Sequence, residues 1–76
     1  MKFYIPPSEA KKLVPHIKVS RSKGFRILCR FRKWGEEQVA RNILTPEGVR
    51  LARELAVRYG EPLHHVIHDA LNAMRL

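Results

Sequence analysis

Residues 1–76 read as one α+β domain: a β-hairpin or three-stranded antiparallel sheet followed by two α-helices, in the order β-β-β-α-α. Three features carry that reading. Apolar and basic residues alternate from Phe25 to Arg32, the period of a half-buried strand. Thr45-Pro46-Glu47 and Gly60 bracket a helically periodic stretch with residues that start and stop helices. A second apolar stripe follows at three- and four-residue spacing: Leu63, Val66, Ile67, Ala70, Leu71 and Met74. Hydrophobic residues form 45% of the chain, enough for a packed core rather than a disordered tail. A chain this short buries only about 60% of its extended surface, so a homodimer is expected to complete the core.

In chain order, Pro6-Pro7 closes a short extended leader. Ser8 is a good N-cap with Glu9 in the first turn, and a helix is expected as far as Val14, ended by Pro15. Residues 16–33 read as the hairpin. Ile17 and Val19 share one face, and Arg21-Ser22-Lys23-Gly24 has turn chemistry. Phe25, Ile27, Cys29 and Phe31 make the apolar face of the second strand, opposite Arg26, Leu28, Arg30 and Arg32. Leu28 is the exception on that basic face. After a turn at Gly35-Glu36, residues 37–44 fit a third strand or a short helix, and β propensity at Val39 and Ile43 favours the strand. Thr45 caps the first long helix, whose inner face is Val49, Ala52, Leu55, Ala56 and Tyr59. Gly60 stops it, and Pro62 begins the second helix.

Lysine and arginine number 15 against 7 acids, a net charge of +8. Ten of those bases lie in residues 1–34 with a single acid, Glu9, so the first half carries the whole excess. A field concentrated in this way attracts polyanions. The expected nucleic-acid-binding residues are Lys18, Arg21, Lys23, Arg26, Arg30, Arg32, Lys33 and Arg41, with double-stranded DNA the first partner and an acidic protein the second. Arginine predominates among them, and its planar fork suits phosphate and guanine edges. Phe25 and Phe31 share the face of Ile27 and are expected in the core, whereas Trp34 is the better exposed contact.

Other chemistries find little footing. No apolar run approaches the roughly 20 residues of a membrane span, and the first residues lack a secretory signal, so a cytoplasmic protein is expected. Cys29 is the single cysteine, which excludes an internal disulfide and a multi-cysteine zinc motif. On the apolar face of a strand it is expected to be inert. His64 and His68 stand one turn apart, but two ligands do not make a metal site, and neither a metal nor a cofactor is expected. A glycine-rich phosphate loop and a G-x-S-x-G motif are both lacking, so no enzyme is expected, with His16 the base that a small ribonuclease would use.

Leu55-Ala56, Gly60, Ile67, Ala70 and Leu71 resemble the two-helix part of ribbon-helix-helix DNA-binding proteins, over residues 45–76. The resemblance implies an obligate dimer with paired strands in the major groove and the second helix's N-terminus at a phosphate. It also implies a dimer or core set of Leu55, Ala56, Val66, Ile67, Ala70, Leu71 and Met74. Residues 16–56, read as three strands and a helix, resemble the arm-type DNA-binding domains of phage integrases, whose sheet lies in the major groove. With the helix at Ser8–Val14 added, the layout is shared with double-stranded RNA-binding domains. An ordinary helix-turn-helix has the right separations at Ala56, Gly60 and Val66, with Asp69 at a position normally apolar. The expected function is therefore a small DNA-binding transcriptional regulator of plasmid or phage type. The competing classes are a phage-type inhibitor of a nucleic-acid-binding protein (anti-host or anti-CRISPR-like) and a small RNA-binding protein or toxin ribonuclease.

Overall fold

Leu28, the residue that fitted neither face of the expected strand, is buried, and Cys29 beside it is exposed. The segment that ends at Leu28 is helical rather than extended. The computed structural model describes residues 2–76, so the first residue of the expected domain lies outside the described residues. The elements are α1 (Pro7–Lys11), a 3₁₀ turn (Val14–His16), α2 (Arg21–Leu28), α3 (Phe31–Trp34), α4 (Glu36–Ile43), α5 (Pro46–Tyr59) and α6 (Leu63–Ala73). The α+β expectation is thus overturned: among the described residues the strand-like pairing is one antiparallel bridge, Ile17 to Leu44. Lys18 N–H donates to the Ile43 carbonyl at 2.9 Å and Thr45 N–H to the His16 carbonyl at 2.9 Å, tying the loop before α2 to the joint between α4 and α5.

The hairpin fails for identifiable reasons. Ser20 caps α2, its hydroxyl accepting from Lys23 N–H at 3.2 Å, so the helix begins where a turn was expected. Gly24 and Leu28 are buried, with Arg21, Phe25, Ile27 and Phe31 half-buried around them, a three-to-four-residue rhythm in place of the two-residue one. Gly24 is no turn residue. A Cβ there would lie 2.5 Å from Leu71 Cδ2, so glycine is what lets α2 approach α6. That closeness offsets the roughly 1 kcal/mol by which glycine disfavours a helix interior relative to alanine. Residues 37–44 resolve the same way: Val39, Ala40 and Ile43 are fully buried at i, i+1 and i+4 on α4. At the N-terminal end, Pro6 rather than Ser8 occupies the cap of α1, and Pro15 sits inside the 3₁₀ turn.

In the second half the capping residues stand in their expected roles. Thr45 Oγ1 accepts from Gly48 N–H at 3.2 Å. Gly60 turns left-handed at φ 65°, and Glu61 N–H reaches back to the Ala56 carbonyl at 3.0 Å, closing α5 in a Schellman motif.

Helix α6 is the axis of the fold. It touches α1, α2, α4 and α5, and from Val66 to Ala73 every residue except His68 is buried. Side chains from elsewhere close both of its ends. At the start, Glu36 of α4 accepts from His64 N–H at 3.1 Å, placing a carboxylate at the positive end of the helix. At the far end, Arg21 of α2 donates from Nε to the Leu71 carbonyl at 3.2 Å and from Nη2 to Asn72 Oδ1 at 3.0 Å. Midway, the fully buried Asp69 accepts the backbone N–H groups of Tyr4 and Ile5 at 2.6 and 2.7 Å.

This placement corrects both DNA-binding resemblances. Ribbon-helix-helix and integrase-arm recognition need a sheet, which the described residues lack, and a carboxylate already occupies the α6 N-terminus that a phosphate was expected to take. Leu55, Val66, Ile67, Ala70 and Leu71 of the dimer or core set are buried within one chain, with Ala56 and Met74 half-buried against them. A helix-turn-helix reading of α5 and α6 fails on the same ground, since its recognition helix is the core.

Candidate nucleic-acid interface

The eight basic residues singled out by the sequence separate into three groups. Arg21 serves the core: it caps α6, and its guanidinium lies 4.8 Å from the Phe25 ring centroid. Lys18 and Arg41 line a groove beside α4 and α5. The remaining five, Lys23, Arg26, Arg30, Arg32 and Lys33, are exposed along α2 and α3.

Those two short helices form a kinked arm. Arg30 sits at the bend with φ −97° and ψ 8°, and its N–H bonds to the Ile27 carbonyl at 3.0 Å. Lys23 and Arg26 lie one turn apart on α2, and Arg30 follows at the bend that leads into α3. The Arg30 guanidinium lies 5.5 Å from the Trp34 ring centroid, and Trp34 is 42% exposed. Phe25 and Phe31 pack against the core, as expected. The sequence has no acid between Glu9 and Glu36. Among the described residues, none of the five arm cations has a carboxylate within ion-pair distance. Their charge is therefore open to solvent.

The acids neutralise other bases. Glu9 takes Lys12 at 2.6 Å, Arg58 at 3.2 Å and the Tyr59 hydroxyl at 3.3 Å, which ties α1 to the end of α5. The Lys12 hydrogen bond is the main reason its carboxyl titrates below the usual range. Glu37 pairs with Arg41 at 3.5 Å and with Arg53.

A second, aromatic surface lies beside the arm. Tyr4, Phe25, Leu28, Cys29, Phe31, His64, His65 and His68 line a shallow groove of about 300 Å³. Tyr4 stacks on His65 at 3.8 Å and Phe31 on His64 at 4.3 Å. Each of these histidines has its Nδ1 against a carboxylate: Glu36, Glu61 and Asp69 respectively. The His64 hydrogen bonds lower the Glu36 pKa from its ordinary value. Among the described residues, no group of three histidine, cysteine or acidic side chains converges as metal ligands. Cys29 is exposed here, which corrects its expected place on the apolar face of a strand. His16 bonds the α5 cap, Nδ1 to Thr45 Oγ1 at 3.4 Å.

The sequence reading missed Arg50 and Arg53, which join Lys18 and Arg41 in the α4–α5 groove. A helical reading of residues 37–44 would have found them, because it turns Arg41 towards α5. Among the described residues no helix is long and apolar enough to cross a membrane. No family model matches this sequence, and no curated protein or solved structure shows a significant similarity to it.

Proposed function

We propose that the protein binds double-stranded DNA through the α2–α3 arm. One observation carries the reading: five exposed cations on adjoining short helices, without a carboxylate partner among the described residues. An α-helix fits the roughly 12 Å major groove of B-DNA, whereas the major groove of A-form RNA is too deep and narrow for side chains to read. Lys23 and Arg26 on α2 and Arg30 at the bend supply the contacts to phosphates or base edges, with Arg32 and Lys33 on α3 beside them. Trp34 braces the Arg30 guanidinium from the side.

The test is duplex binding across a salt series. Five phosphate contacts make log K fall against log salt with a slope of about −4.5, roughly 0.9 per contact. Arg30→Ala weakens binding and flattens the slope by about one contact while leaving the fold intact. Duplex binding that is absent, or indifferent to salt and to Arg30→Ala, overturns the reading in favour of an acidic protein partner.

A further inference from the structure

The groove between α4 and α5 has a construction that the DNA reading does not use. Pro46, Val49, Arg50 and Arg53 lie at i, i+3, i+4 and i+7 along α5, and face Glu37 and Arg41, one turn apart on α4. Lys18 completes the wall, held in place by the bridge that its backbone N–H makes to Ile43. Leu44, Val49 and Pro46 supply apolar lining. The cavity measures about 450 Å³, within the range of small-molecule sites.

Its charges are unevenly matched. Four cations meet one carboxylate, and that carboxylate is already shared: Arg41 and Arg53 both contact Glu37 Oε1. Glu37 thereby fixes two guanidiniums on opposite helices, and its Oε2 is left to accept a further hydrogen bond. Among the described residues Lys18 and Arg50 have no acidic partner. A bare inorganic anion would satisfy Lys18 and Arg50 but gain nothing from Leu44 and Val49. A purely apolar ligand would leave the cations unused.

We infer that this groove binds a nucleoside monophosphate, a phosphate joined through a hydroxyl-bearing sugar to a base with flat faces. Lys18 and Arg50 take the phosphate, Glu37 Oε2 accepts from a sugar hydroxyl, and the base lies over Leu44, Pro46 and Val49. The inference is independent of the DNA-binding arm, whose five cations lie on other helices.

The experiment is titration of the full chain with adenosine 5′-monophosphate, inorganic phosphate and adenosine, followed by amide chemical shifts. The monophosphate is expected to bind at about millimolar affinity or better, and about tenfold more tightly than either phosphate or adenosine, because each of those engages half the site. Shifts concentrate at Lys18 and over residues 37–53. Arg50→Ala weakens the monophosphate by about tenfold or more, the loss of a charge-assisted hydrogen bond, while Lys11→Ala, an exposed charge on α1, leaves it unchanged. Equal binding of inorganic phosphate or adenosine, an unaltered Arg50→Ala, or shifts confined to α2 and α3 overturns the inference. So does displacement of the monophosphate by duplex DNA at matched phosphate concentration, which assigns the groove to a nucleic-acid backbone. Loss of DNA binding on Arg30→Ala with nucleotide binding retained separates the two sites.

Discussion

Helix α6 and the α2–α3 arm are close neighbours with opposite compositions and opposite tasks. The helix hides all but one residue from Val66 to Ala73, and every polar group it buries has a partner: Asp69 holds two backbone N–H groups, and Asn72 holds Arg21. The arm buries one narrow strip and turns five cations to solvent without partners among the described residues. Where polar atoms are buried, pairing is obligatory, because an unsatisfied group costs about 1–3 kcal/mol. Where they are exposed, pairing contributes little, so an unpaired basic surface is cheap to keep and free to bind. The contrast separates residues that hold the fold from residues available for function.

Substitutions test that separation directly. Asp69→Ala leaves the Tyr4 and Ile5 amides without their acceptor, and a loss of about 3 kcal/mol is expected in urea unfolding, with faster hydrogen exchange at those amides. Gly24→Val drives a branched side chain into Leu71 and wedges α2 from α6, an overpacking cost of about 2 kcal/mol by the same measurement. Removing the α5 cap in Thr45→Ala costs about 1 kcal/mol. Arg26→Ala and Arg30→Ala stay within about 0.5 kcal/mol of the parent, as surface changes do. A large loss of stability in either arm variant would erase the distinction.

The pH dependence is smaller still. Glu36 titrates below its ordinary 4.5 because His64 hydrogen-bonds its carboxylate. A depressed carboxyl stabilises the fold above the unfolded pKa, and that stabilisation disappears as pH falls through the lowered folded value. Acid unfolding below about pH 4.5 is therefore expected to be shallower in Glu36→Gln. Glu36 is partly exposed, so solvent screening limits the difference to about 0.5 kcal/mol.

The two halves of the chain were unequally legible. Thr45, Pro46 and Gly60 punctuate α5 by local chemistry that tertiary context does not alter, and both long helices are where that chemistry places them. In residues 21–34 the eight-residue alternation of apolar and basic side chains was real but ambiguous. Leu28 is buried while Phe25, Ile27 and Phe31 are half-buried around it, and a two-residue period cannot turn Leu28 and Phe25 inward together. Leu28 and the Ser20 cap were the visible signals for helix. Gly24 pointed the wrong way, since a glycine needed for close packing looks the same in sequence as one needed for a turn. The charge asymmetry located the arm and its five exposed cations, but the groove stayed hidden because Arg50 and Arg53 come from the half with no excess charge.

Asp69 also joins the two ends of the sequence. The anchor for residues 4 and 5 lies 65 and 64 positions downstream, on the helix around which the rest is assembled. A fragment ending before Leu63 lacks both the anchor and the surface that Gly24, Leu28, Val39 and Ile43 cover. The first residues of the chain are therefore tied to its last helix, so the fold joins its two ends through one buried carboxylate.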